Sequence, residues 1–133
     1  MSRIQLALNV SDLDQAIAFY EKLFATAPAK VRPGYANFAI AEPPLKLVLF
    51  ETGAGEGTLN HLGVEVETSA EVEAATSRLS ADGLVTSTEN AVTCCHAVQD
   101  KVWVAGADTR WEIYAVLADA DALCTTSCCA VPA

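Results

Sequence analysis

The hexapeptide His61-Leu62-Gly63-Val64-Glu65-Val66 lies residue for residue over Gln5-Leu6-Ala7-Leu8-Asn9-Val10, and this repetition restricts the fold more than any other feature. Both segments alternate apolar with polar or small side chains, the period of a half-buried strand. Each precedes a helix-start signature, Ser11 three residues before Asp14 and Thr68 three residues before Glu71. After the first, Leu13, Ala16, Ile17, Tyr20 and Phe24 form one apolar stripe that can cover Ile4, Leu6, Leu8 and Val10. After the second, Val72, Ala75 and Leu79 lead to a stop at Gly83.

The remaining strands follow from alternation and breakers. A short one is bounded by Pro28 and Arg32-Pro33-Gly34; two more span 35–41 and 45–51, and a glycine-bearing linker at 52–58 closes the first half. In the second half, strands are expected at 86–96, 101–105 and 110–116, with turns at Gln99-Asp100 and from Gly106 to Thr109. The expected fold is α+β: two β-α-β-β-β modules, 1–51 and 58–117, forming a cupped mixed sheet around a metal site in one domain, 1–117. Residues 118–133, rich in Ala and Cys, are expected to be a mobile tail.

Composition narrows the class of partner. With 17 acidic against 8 basic residues the net charge is -9, which repels nucleic acid and anionic membranes. No stretch approaches the roughly 20 apolar residues of a membrane helix. The first ten residues lack a secretory leader's apolar core, and the five cysteines are odd in number with two of them adjacent, unlike a disulfide framework. A cytoplasmic protein, monomer or homodimer, is expected.

Alternation also fixes which side chains face away from the helices. In the first strand these are Gln5, Ala7 and Asn9; in its counterpart, His61, Gly63 and Glu65. The fourth strands match Lys46 with Glu112. Gln5, His61 and Glu112 bring an amide oxygen, an imidazole and a carboxylate, a set able to hold a divalent metal and leave about three positions open, as non-haem Fe(II) requires. The other reading is a satisfied structural histidine and a solvent-facing carboxylate. Lys46 is cationic and expected to be structural or solvent-facing.

Cys94 and Cys95 form a vicinal pair. Consecutive Cα atoms lie about 3.8 Å apart, less than the roughly 4.4–6.8 Å of unstrained disulfides, so the pair suits chelation of a soft atom, or else two small buried apolar side chains. For both sulfurs to reach one atom, the backbone there must bulge, bend or loop. Lys101 is expected in a turn, solvated, though a cation near the pair would favour its thiolates. His96 is set outside the site.

The repeated unit with matched ligands resembles the vicinal oxygen chelate superfamily of glyoxalase I, extradiol dioxygenases and bleomycin or fosfomycin resistance proteins. A closer likeness, over about residues 1–117, rests on Met1-Ser2-Arg3-Ile4-Gln5-Leu6-Ala7-Leu8-Asn9-Val10, Pro33-Gly34-Tyr35-Ala36-Asn37-Phe38-Ala39-Ile40-Ala41, Pro43-Pro44-Leu45-Lys46-Leu47-Val48-Leu49, Leu59-Asn60-His61-Leu62-Gly63-Val64-Glu65-Val66, and Thr93-Cys94-Cys95 with Gln99-Asp100-Lys101-Val102-Trp103-Val104. These stretches resemble organoarsenical carbon-arsenic lyases and related cadmium-induced proteins. The resemblance implies an Fe(II)-dependent dioxygenase, with O₂ as co-substrate, that cleaves the carbon-arsenic bond of methylarsonous acid and trivalent aromatic arsenicals and releases arsenite. It implies Gln5, His61 and Glu112 as iron ligands and Cys94 and Cys95 as arsenic ligands. Cys128 and Cys129, a second vicinal pair, would either pass arsenic or cadmium inward or be incidental. The alternatives are a non-enzymatic thiol protein that sequesters arsenic or cadmium, and a glyoxalase-like metal-dependent isomerase.

Overall fold

A computed structural model describes residues 2–52, 58–106 and 109–121. The chain divides into two compact units, Arg3–Leu62 and the part from Gly63 onward. Elements run β1 (Arg3–Val10), α1 (Leu13–Phe24), β2 (Lys30–Arg32), β3 (Tyr35–Ile40), β4 (Leu45–Glu51), β5 (Thr58–Val66), α2 (Ser69–Ala81), β6 (Thr86–Cys94), β7 (Ala97–Gly106) and β8 (Thr109–Asp119). This is β-α-β-β-β twice, as the repeat predicts. The boundary between units falls inside β5.

In the first unit the strand order is β2-β3-β4-β1-β5, the last contributing residues 58–62. β1 and β4 are parallel with Gln5 opposite Lys46 and Asn9 opposite Phe50; β3 and β4 are antiparallel. Leu13 of α1 packs on Ala36, Phe38, Ile40, Leu47 and Leu49, joined by Leu6, Leu8 and Val10. These are the apolar positions of the alternation, so the opposite face of β1 carries Gln5, Ala7 and Asn9 as expected. The cap of α1 differs from the expected Ser11: Asp12 accepts from the Gln15 backbone N–H at 3.0 Å. Glu51 also accepts from the Leu13 N–H at 2.8 Å, so two carboxylates serve the positive end of the helix.

In the second unit β7 pairs with both β6 and β8, antiparallel throughout. Val72 of α2 packs on Val102 and Ala115, with Val66 and Ile113 alongside. The expected capping box is present, Thr68 accepting from the Glu71 N–H at 3.2 Å and Glu71 accepting from the Thr68 N–H at 2.9 Å. Three expectations are corrected here. β6 ends at Cys94, with Cys95 and His96 forming the turn, and Gln99-Asp100 lies within β7 rather than in a turn. Asp100 is accommodated because its oxygens accept from the Ala91 N–H and from Ser69 of α2, where the register of β6 slips between Glu89 and Val92. β8 runs to Asp119, past the predicted end at Val116, so Ala118 and Asp119 of the expected tail are strand residues paired with Val98 and Ala97. The glycines of the predicted linker at 53–57, positions 107–108 of the predicted hairpin turn, and Cys124, Cys128 and Cys129 lie outside the described residues.

Candidate metal and thiol site

In the first unit the face opposite α1 is polar and closed to solvent. Gln5 is 4% exposed and His61 1%, with the Gln5 Nε2 3.1 Å from His61 Nε2. The repeat therefore does bring these two symmetry-related side chains together. The other ring nitrogen, Nδ1, stands 2.7 Å from Asn60 Oδ1. An oxygen can only accept there, so Nδ1 carries the proton and Nε2 presents a lone pair toward Gln5. An imidazole so arranged, beside a carboxamide that can turn its oxygen inward, fits a divalent metal. Phe50 walls the ring at 6.5 Å between centroids, and Tyr35 stacks edge-on to Phe50 at 5.6 Å. Lys46, parallel partner of Gln5, is buried rather than solvent-facing.

In the second unit Glu112 is buried on the face opposite α2, which excludes the reading of a solvent-facing carboxylate. Its partner corrects the expectation for Lys101. That residue lies in β7, is 0% exposed, and donates from Nζ to Glu112 Oε1 at 3.3 Å. Polar neighbours at Gln99 and Asp100 suggest a turn, but the lysine pairs directly with Tyr114 across the ladder and reaches diagonally to Glu112. Its ammonium lies 5.2 Å from the Trp103 ring and 5.8 Å from that of Tyr114, so aromatic faces share in offsetting its desolvation. Arg110 stacks on Trp103 at 4.2 Å, and Trp103 donates to Glu89 at 2.8 Å. Desolvation lowers the Arg110 pKa, while Glu112, Glu89 and Cys95 act against that by favouring its charge.

The cysteines show the predicted departure from strand geometry. Cys95 and His96 both have positive φ, 53° and 61°, on the two-residue turn that joins Cys94 to its pairing partner Ala97. Cysteine does not adopt this region easily, whereas histidine does so more often than most non-glycine residues. The turn is held from both sides: Gln99 donates to the Cys94 carbonyl at 2.8 Å, the Ala120 N–H donates to the His96 carbonyl at 3.0 Å, and His96 Nδ1 donates to the Asp121 carbonyl at 2.9 Å. The sulfurs of Cys94 and Cys95 stand 3.6 Å apart. That is far beyond a disulfide bond of about 2.05 Å. It falls within the ~3.3–3.8 Å spanned by two bonds of about 2.3 Å, the zinc–thiolate length, meeting at one soft atom between a right and a tetrahedral angle. Cys94 is buried and, in this structure, disulfide-bonded, and Cys95 is partly buried.

The profile of the Glyoxalase/Bleomycin resistance protein/Dioxygenase superfamily matches residues 3–111. The chain belongs to that superfamily. Among its relatives, the trivalent organoarsenical cleaving enzyme of Thermomonospora curvata is 62% identical over 97% of this chain and 89% of its own length. The cadmium-induced protein CadI of Mycobacterium tuberculosis is also 62% identical, over 91% of this chain and 80% of its own. Among solved structures, the Mn(II)-bound glyoxalase of Novosphingobium aromaticivorans superposes with a TM-score of 0.64 at 19% identity, covering 90% of this chain and 42% of that one. The fold is accordingly glyoxalase-like.

Two residues beside the candidate ligands escape a sequence reading. Asn60 precedes the candidate ligand and reads as a strand residue on the wrong face; Gln99 reads as a turn former. The available signal is the clustering of carboxamides, Gln5, Asn9 and Asn60, on two strands that the repeat makes equivalent. Among the described residues no group of three or more His, Cys, Asp and Glu is placed to hold a metal, and the candidate set includes an amide, Gln5. No described helix is long and apolar enough to cross a membrane.

Proposed function

We propose that this chain is a cytoplasmic, Fe(II)-dependent dioxygenase that cleaves the carbon-arsenic bond of trivalent organoarsenicals to arsenite, a detoxifying reaction. Gln5, His61 and Glu112 are the proposed metal ligands and Cys94 and Cys95 the arsenic ligands. The observation that carries the reading is the sulfur pair, 3.6 Å apart on a turn with Cys95 at positive φ. The 62% identity to a trivalent organoarsenical cleaving enzyme supports it.

The chemistry of capture follows from the thiols. A trivalent arsenical with one organic group carries two exchangeable hydroxyls; each thiol proton leaves with one as water while a sulfur–arsenic bond forms. Both sulfurs then fix the arsenic, which limits the carbon-arsenic bond to few orientations and supplies much of the entropy that a bimolecular attack would otherwise lose. Bound Fe(II) supplies an open site for O₂. The buried Lys101 fixes the orientation of the Glu112 carboxylate through Oε1. His61 keeps its proton on Nδ1, leaving Nε2 for the metal. Phe50 and Tyr35 exclude water from the histidine side.

The test is anaerobic reconstitution with Fe(II), addition of methylarsonous acid, and arsenic speciation before and after O₂ is admitted. Arsenite is expected after O₂ enters; its release without O₂ overturns the dioxygenase assignment and favours an isomerase-like or hydrolytic use of the metal. Because Cys94 is disulfide-bonded here, capture of the arsenical is expected to depend on prior incubation with a thiol-free reductant, measured as retained arsenic per chain. Equal retention without reductant argues against Cys94 as an arsenic ligand.

A further inference from the structure

The contact between Asn60 and His61 is the last link of a longer directed chain of polar side chains. Asn9 Nδ2 donates to Thr58 Oγ1 at 2.9 Å, Asn60 Nδ2 donates to Asn9 Oδ1 at 3.0 Å, and His61 Nδ1 donates to Asn60 Oδ1 at 2.7 Å. Asn9, Asn60 and His61 are 1%, 5% and 1% exposed. Buried carboxamides are held where their hydrogen bonds are, since desolvated polar groups are costly to leave unmade. Each Asn uses its nitrogen on one side and its oxygen on the other, so neither can flip without its neighbour flipping too.

We infer that Asn60, locked by Asn9, is a positioning residue that selects the tautomer of His61. A neutral imidazole left to itself prefers its proton on Nε2, the nitrogen that points at Gln5. Such a ring offers no lone pair in that direction. The Asn60 oxygen reverses the preference by accepting from Nδ1, and Gln5 completes the arrangement by facing the bare Nε2. The reverse polarity is physically available: with both Asn amides flipped, Asn60 Nδ2 would donate to Nδ1 and Nε2 would bear the proton. The relay therefore has two senses, and the one observed is the one compatible with a metal on Nε2. A carboxamide, unlike a carboxylate in the same place, does this without adding a buried charge behind the ring.

The inference rests on His61 as a metal ligand, so its test has a readout independent of metal. In the metal-free full chain at one fixed pH, long-range ¹H–¹⁵N correlation is expected to show His61 protonated at Nδ1 in the wild type and in Asn60→Asp, which keeps the acceptor. Asn60→Leu is expected to shift His61 toward the Nε2-protonated form and weaken Fe(II) binding by about 10- to 100-fold, with Asn60→Asp restoring affinity to within a few fold. Asn9→Leu, which unlocks Asn60 but leaves its oxygen in place, is expected to give a smaller change of the same sign and serves if Asn60→Leu does not fold. An unaltered tautomer in Asn60→Leu or Asn9→Leu overturns the positioning role. Fe(II) affinity unchanged by His61→Ala, with the tautomer still responding to Asn60, removes His61 from the ligand set and with it the relay's bearing on the metal.

Discussion

Replacing His61 with alanine is expected to lower arsenite release by more than about 10²-fold while leaving retention of the reduced chain's arsenical at the wild-type level. The size follows from the ligand count. Altering an outer partner of a metal ligand already costs about 10- to 100-fold, and a donor set of one amide, one imidazole and one carboxylate has no second histidine to compensate. The separation of effects follows from where the residues lie. His61 sits in the unit Arg3–Leu62, whereas Cys94 and Cys95 sit in the other, on a turn held by Gln99, Ala120 and Asp121. Removing the imidazole disturbs none of the hydrogen bonds that shape that turn. The variant discriminates among the three readings of this protein. A sequestering protein would confer equal arsenic retention and equal resistance with or without His61. An isomerase would lose activity toward its own substrate but would never have released arsenite. Turnover unaffected by the change, measured by arsenic speciation under saturating Fe(II), removes the metal assignment.

The second large effect is on stability. Glu112→Ala leaves the Lys101 ammonium, 0% exposed, without its carboxylate; among the described residues the faces of Trp103 and Tyr114 remain beside it. Breaking a buried ion pair from one side costs about 3–5 kcal/mol, because a desolvated charge is stranded. Removing both charges, by combining Glu112→Ala with Lys101→Met, is expected to recover most of that, since well-packed apolar groups replace buried pairs at little cost. Urea-unfolding midpoints of the two single variants and the double variant provide the cycle. Neither the single Glu112→Ala variant nor the double variant is expected to release arsenite, so the double variant separates the structural service of the carboxylate from its proposed service to the metal. A Glu112→Ala variant as stable as wild type shows that Lys101 finds another anion or reaches water.

How much of this is readable from sequence depends on whether a residue type has one physical meaning or several. The repeat exposes the strand faces because alternation has a single solution once α1 claims Leu6, Leu8 and Val10, and so Gln5 and His61 are readable as neighbours. Thr68 and Glu71 are readable because their reciprocal hydrogen bonds are local. Ser11 against Asp12 is not, as both are good caps one residue apart. Gln99-Asp100 has the composition of a turn, and what makes it strand is Asp100 bonding to Ala91 and Ser69, nine and 31 residues away in the chain. Lys101 eludes the sequence for the same reason: burial of a cation depends on partners such as Glu112 and Tyr114, which local sequence does not reveal. The turn at Cys95 and His96 is foreseeable only through chemistry, from the need of two sulfurs to meet, since cysteine does not favour positive φ and histidine alone is a weak turn signal.

That turn places durability and chemistry in opposition within one hairpin. A two-residue loop with both residues in the left-handed region is best satisfied by Asn-Gly, and holding other residue types there stores on the order of 1–3 kcal/mol each. Heat selection acting on this chain would therefore be drawn to residues 95 and 96, and at the first of them the gain in thermal tolerance deletes a sulfur. On the proposed arsenic-binding role of Cys95, the strained hairpin is what that role requires, and Cys95→Gly is expected to raise the thermal midpoint while lowering arsenical retention.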